Sequence, residues 1–150
     1  MKYLILVRHG EYEKDGQLNI VGQEQMLYLA EKIKKYIINN RSVAVFSSPT
    51  DRTSESAKII SKYFGVNFEV TNALLSDGFD HPMNLSRLFE FVKSKDDIDT
   101  VILVTHFDYV AYFPKYFSSQ MWGVDLPSTE IGKGNAWLVD CQKKILLLLN

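Results

Sequence analysis

Short apolar runs alternate along this chain with stretches whose apolar residues recur every three to four positions. Residues 2–7 (KYLILV) are too unbroken for a half-solvated strand and predict one buried on both faces. Met26, Leu29, Ala30, Ile33 and Ile37 follow at helical spacing, which predicts an amphipathic helix over 22–38. Residues 43–46 read as a second strand. Residues 49–64 read as a second helix, with Ala57, Ile60 and Phe64 on one side and Gly65 as its stop. A short third strand is expected over 66–70. The stretch 72–82 lacks any period and carries Gly78 and Pro82, so a loop is expected there, then a short helix over 84–93. TVILV at 100–104 is the clearest strand, and a helix should follow over 107–117. Residues 135–140 and 144–149 predict a hairpin turning at Gln142 and Lys143.

Strands that alternate with helices imply an α/β fold in three layers, with a mostly parallel sheet between helices and an antiparallel C-terminal strand. No repeat, linker or low-complexity tract divides the chain, so its 150 residues are expected to form one domain, 1–150. A domain of that size buries roughly 70% of the surface its unfolded chain exposes.

Composition narrows the function. Apolar residues make up 46% and charged residues 23%, the balance of an ordinary globular protein. The net charge is −1 with no basic stripe, which argues against a nucleic-acid partner held through its phosphates. Cys141 is the lone cysteine, so neither an internal disulfide nor a Cys-based zinc site can form, and three histidines support a metal cluster poorly. No metal and no cofactor are expected. The apolar run 3–7 ends at Arg8, too short for a signal peptide or a membrane span, so no membrane contact is expected and the cytoplasm is the expected location. Nothing in the sequence sets an oligomeric state.

Three strand exits carry unusual residues: Arg8-His9-Gly10 after the first strand, Ser47-Ser48-Pro49 with Arg52 after the second, and Thr105-His106 after the fourth. Ligands of open α/β sheets bind beyond the carboxyl ends of the strands, so these segments are expected to share one crevice. Ser48 to Asp51 and Thr105 to Asp108 fit the outline of a capping box, and Pro49 suits a first helical position. Two helix N-termini, Arg8, Arg52 and a protonated His106 would make the crevice an anion site, for phosphate above all. Tyr109, Tyr112, Phe113, Tyr116 and Phe117 read as packing, His81 before Pro82 as structural, and Cys141 as incidental.

The residues that line these exits also resemble a known family. LVRHGE (Leu6 to Glu11), the LxxxGxxQ element at Leu18, Gly22 and Gln25, SSPTDRTSESA (Ser47 to Ala57), VTH (Val104 to His106) and Gly134-Asn135-Ala136 are similar to the motifs of the phosphoglycerate mutase-like histidine phosphatase superfamily. The resemblance implies that fold and a phosphatase that forms a phosphohistidine on His9. It further implies Arg8 and Arg52 as a phosphate clamp, His106 as a donor to the transferring group, and Gly10 and Glu11 as phosphate neighbours. For the leaving-group acid, Leu75-Ser76-Asp77 matches the family's L-x-E context, which nominates Asp77, with Glu11, Asp80 and His81 as rivals. The chemistry suits these residue types. An attacking imidazole must be neutral, with its second N–H held by an acceptor, and arginine offers a permanently charged fork matched to phosphate oxygens. Asp77 would need its pKa raised, by burial or by a dianionic substrate.

The sequence departs from the family at Phe107, where a glycine is usual, at Asn19 in place of Thr or Ser, and at Asp15 in place of a phosphate-binding Asn. In size and compact first loop it looks most like the small bacterial phosphohistidine phosphatases. The implied partner is therefore a phosphohistidine-bearing protein, with a phosphorylated small molecule such as a sugar phosphate as the equal alternative. A phosphoglycerate mutase-type phosphotransferase and a catalytically degenerate phosphate-binding module are the remaining readings.

Overall fold

Successive side chains of a strand point to opposite faces, and the first strand uses both. In the computed structural model, which describes residues 1–37, 39 and 41–150, Leu4 and Leu6 enter one apolar cluster while Ile5 and Val7 enter another. That strand, β1 (Tyr3–Arg8), runs one residue further than its apolar pattern, because Arg8 still pairs with the neighbouring strand. After it come α1 (Ile20–Tyr36), β2 (Val43–Ser47), α2 (Asp51–Phe64), β3 (Phe68–Val70), α3 (Leu85–Lys93), β4 (Thr100–Thr105), α4 (Phe107–Trp122), β5 (Ala136–Asp140) and β6 (Ile145–Leu149). The six strands form one sheet in the order β3-β2-β4-β1-β5-β6. β3, β2, β4 and β1 are mutually parallel, and β5 runs against both β1 and β6. The expected three layers are present. Met26, Leu29, Ile33, Ala57 and Ile60 of α1 and α2 cover one face, and Leu88, Val92, Tyr109, Phe113 and Phe117 of α3 and α4 cover the other.

Several boundaries differ from the sequence pattern for local reasons. Helix α1 begins at Ile20, because Asn19 caps it by accepting from the Gly22 N–H at 2.9 Å. The expected end at Ile38 lies outside the described residues. Neither capping box forms. Thr50 holds the N-cap position of α2, so Pro49 precedes the helix instead of opening it, and His106 holds that of α4, neither with a side-chain cap bond, while the Thr105 hydroxyl donates to the Leu74 carbonyl at 3.0 Å. The expected loop over 72–82 opens with a 3-10 turn (Asn72–Leu74). β3 starts only at Phe68, because Val66 N–H is taken by the Ser61 carbonyl in the helix stop at Gly65. α4 passes Phe117 and continues to Trp122 despite Pro114. Ser128 supports the break in the ladder, its hydroxyl donating to the Ala111 carbonyl at 2.7 Å and accepting from Lys115 N–H at 3.4 Å.

The sheet register sets up the site. Arg8 pairs with Thr105 and Ser47 with Val104, so the three strand exits end at one level. His9 N–H then donates to the Thr105 carbonyl at 3.3 Å, and Ser48 N–H to the Val104 carbonyl at 3.1 Å.

Candidate active site

Each sequence motif proves to be one half of a backbone contact made by another. Gly10 and Gly22 touch: a Cβ on Gly22 would lie 2.1 Å from the Glu11 carbonyl oxygen, and one on Gly10 would lie 2.6 Å from that of Gly22. Gln25 accepts from Glu11 N–H at 2.9 Å, and Leu18 N–H donates to Glu55. Gly134 N–H donates to the carbonyls of Arg8 and His9, while the Asn135 carbonyl accepts from Arg8 N–H at 3.0 Å. Ser56 accepts from Gly10 N–H at 3.1 Å and donates to the Arg52 carbonyl at 2.7 Å. The segment carrying His9 is thus tied to α1, α2 and the start of β5.

The two imidazoles meet. The rings of His9 and His106 have centroids 5.8 Å apart, and both residues are buried. His9 Nδ1 lies 2.9 Å from the Gly10 carbonyl, which only accepts, so that nitrogen carries the proton. Nε2 therefore holds the lone pair, and it accepts from Arg52 Nε at 3.3 Å. Arg52 Nη2 lies 3.3 Å from His106 Nδ1, and since a guanidinium only donates, the His106 proton sits on Nε2, directed to Ser48 Oγ at 2.8 Å. One guanidinium thus fixes the tautomers of both rings. Burial, reinforced by the Arg52 and Arg8 charges, lowers the His9 pKa to about 4. Burial and the Arg52 charge lower that of His106 to about 3. Both rings are neutral at pH 7, which corrects the expectation of a protonated His106 in the unliganded site.

Arg8 donates through Nη1 to the Ile131 carbonyl at 2.7 Å, and its buried Nε has no partner among the described residues. Its guanidinium carbon lies 5.5 Å from the centroid of the Phe107 ring, so the arginine lies over that ring. Arg8, His9, Arg52, His106, Phe107 and Asp77 all border an open cavity of about 460 Å3.

The other expected residues are placed differently. Gly10 has its amide on Ser56 and its carbonyl on His9, so it stands behind the imidazole. Glu11 pairs with Lys133 Nζ at 2.8 Å. Asp15 accepts from Gln17 N–H in an exposed turn and does not border the cavity. Asp80 and His81 line a separate cavity of about 400 Å3. Asp77 is exposed. The hydrogen bond from the His81 ring, together with that ring's charge and backbone N–H, holds its carboxyl below the usual carboxylate range, opposite to the rise an acid requires.

Sequence reasoning missed Tyr12, Lys133 and Asp108. The Tyr12 ring meets the His9 ring edge-on at 5.2 Å and has Arg52 at 5.0 Å and Lys133 at 4.8 Å. Lys133 and Asp108 also border the cavity, Asp108 taking a hydrogen bond from the Ser76 hydroxyl. The available signals were position alone: Lys133 directly precedes Gly134, and Tyr12 directly follows RHGE. No cluster of three or more His, Cys, Asp or Glu suited to a metal is found among the described residues, and no helix there is long and apolar enough to cross a membrane.

Comparison with known proteins agrees with this architecture. Residues 4–76 match the family model of the histidine phosphatase superfamily (branch 1). No curated protein matches the chain by sequence. Among solved structures, the protein histidine phosphatase SixA complexed with tungstate superposes with a TM-score of 0.70 at 13% identity, covering 97% of this chain and 93% of that one. Mycobacterial glucosyl-3-phosphoglycerate phosphatase with inorganic phosphate gives 0.69 at 15% identity, over 99% and 95%. The fold is that of these phosphatases along the whole chain. The similarity to the histidine phosphatase superfamily model ends just beyond Leu75, whereas the likeness in fold continues through the rest of the chain.

Proposed function

We propose that this chain is a phosphatase that hydrolyses a phosphomonoester, or a protein phosphohistidine, through a phosphohistidine on His9. The observation that carries the reading is the state of the His9 ring: neutral, Nδ1–H held by the Gly10 carbonyl, and Nε2 directed toward Arg52 beside His106. That is the state a nucleophilic imidazole requires. Nε2 attacks phosphorus as the bond to the leaving oxygen breaks. Arg52 and Arg8 spread the charge of the transferring oxygens, and Arg8 Nε, without a partner among the described residues, is a further donor. A bound dianion raises the proton affinity of His106 and converts it to a donor. Asp77 protonates the leaving oxygen, then takes a proton from the water that hydrolyses the phosphohistidine. The positive groups Arg8, Arg52 and Lys133 at the cavity supply charge stabilisation without a metal.

An open cavity suits a protein-borne phosphate. Phe79 is fully exposed beside Gly78, which borders the cavity, and so offers a partner an apolar contact. Turnover of a phosphohistidine protein against a panel of sugar phosphates separates the two substrate classes, and wide preference for the sugars removes the first. A phosphate-holding module without turnover is favoured by one observation, the exposed and deprotonated state of Asp77. Incubation with a labelled phosphomonoester decides. We expect an acid-labile, base-stable phosphate on the native chain and none on His9→Ala. Absence of both label and hydrolysis in the native chain overturns the enzymatic reading.

A further inference from the structure

Asp77 and His81 are joined three times within one short loop. Asp77 N–H donates to the His81 carbonyl at 3.2 Å, His81 N–H to Asp77 Oδ1 at 2.9 Å, and His81 Nδ1 to Asp77 Oδ2 at 2.8 Å. Gly78, at φ +92, gives the loop the left-handed residue its closure needs. Asp77 borders the cavity that holds His9 and His106, whereas His81 borders the neighbouring cavity of about 400 Å3. The pair therefore spans the wall between the two, and the Asp77 charge reaches His106, pulling its proton affinity up against burial. A lone exposed aspartate holds no proton at neutral pH, so by itself it cannot protonate an alkoxide. Joined to an imidazole, it has beside it a group that can give and take a proton.

From this arrangement we infer that His81 supplies, through Asp77, the proton that the leaving group takes. The inference rests on the phosphohistidine reading above. In the first step the P–O bond to the leaving group breaks while His9 Nε2 bonds to phosphorus. Asp77 passes a proton to the leaving oxygen as His81 Nδ1 gives its own to Asp77 Oδ2, which leaves a neutral His81. In the second step water attacks phosphorus and the N–P bond breaks. The water's proton passes to Asp77 and on to His81, and the imidazolium is restored. The His81 side chain is exposed and borders the second cavity, which gives it exchange with solvent. The charged and titratable groups that face this ring are Asp77 and Asp80 in its own loop, Arg87 of α3 and Tyr109 of α4. The histidine acts through Asp77 and is a positioning and proton-supplying residue, not one that touches phosphate.

The test compares two esters on the native chain, His81→Gln and Asp77→Asn, reading kcat/KM, which reports the phosphoryl-transfer step. p-Nitrophenyl phosphate needs little protonation of its leaving group; glycerol phosphate needs a full proton. We expect His81→Gln to lower kcat/KM for glycerol phosphate about 100-fold and for the nitrophenyl ester less than about 3-fold, the difference being the size of a general-acid contribution. Asp77→Asn should show the same discrimination. The pH profile for glycerol phosphate should differ between the native chain and His81→Gln, and that for the nitrophenyl ester should not. Glutamine keeps a donor for Asp77 but no mobile proton. Full activity in His81→Gln, equal losses on both esters, or an unchanged pH profile overturns the inference. Failure of the native chain to trap phosphate on His9 overturns the parent reading instead, and the two results are separable because trapping with the nitrophenyl ester does not depend on His81.

Discussion

Arg52 carries more of the site than any other side chain, because one planar group bonds two imidazoles at once. Its Nε reaches His9 Nε2 and its Nη2 reaches His106 Nδ1, both at 3.3 Å, while Tyr12 covers its face at 5.0 Å. A lysine cannot reproduce this, since its ammonium is a point charge with no fork and no planar face. Arg52→Lys should leave the fold intact and reduce kcat/KM for any phosphomonoester by about 100- to 1000-fold, the cost of removing one donor to developing charge. Steady-state kinetics together with a thermal melt check this, and a loss under about 10-fold shows that charge alone suffices. The sequence announced Arg52, His9, His106 and Arg8 through motif context. It could not announce that His106 is neutral, because that follows from burial in the folded chain. Asp77 was legible as a carboxyl near the site, but its tie to His81 depends on how the loop closes.

At the level of elements, the glycines of RHG and LxxxGxxQ are readable only as a pair. Neither marks a turn: Gly22 lies inside α1, where alanine would ordinarily add about 1 kcal/mol of helix stability. The space decides otherwise, since the Cβ would meet backbone atoms of Glu11 at 2.1 to 2.9 Å, and backbone cannot rotate aside. Gly22→Ala should therefore destabilise by about 1–3 kcal/mol through overpacking. In a domain of this size that is a fall in Tm of roughly 2–4 °C per kcal/mol. Urea denaturation tests it, and an unchanged or higher midpoint refutes the contact. Apolar periodicity was enough to set out the strands and helices, because the two apolar clusters follow directly from alternation in β1 and β4. Helix starts were less legible. Ser48 and Thr105 had the right chemistry for caps, but tertiary partners, His106 and the Leu74 carbonyl, take their hydroxyls.

For the molecule as a whole, a site built from two buried neutral histidines has a thermodynamic consequence beyond catalysis. The folded state holds His9 near 4 and His106 near 3, whereas an unfolded chain releases both to about 6.5. Below pH 6.5 the unfolded state binds protons that the native state refuses, so stability falls as pH falls. The slope approaches about 1.4 kcal/mol per pH unit for each histidine, continues to about pH 4, and lessens below that as His9 begins to protonate in the native state. The depressed carboxyls of Asp77 and Asp99 add to the loss only at lower pH, once an unfolded carboxylate starts to protonate. A dianion bound between the two arginines should oppose the trend, because it favours protonated imidazole. We therefore expect urea midpoints to drop steadily from pH 7 to pH 4.5, with a shallower drop in 10 mM phosphate. His106→Gln, which keeps a neutral polar side chain but cannot titrate, should lose about half of the slope even if its absolute stability is lower. A slope equal to that of the native chain in this variant means that His106 does not govern the acid response, and the neutral state assigned to its buried ring would have to be withdrawn.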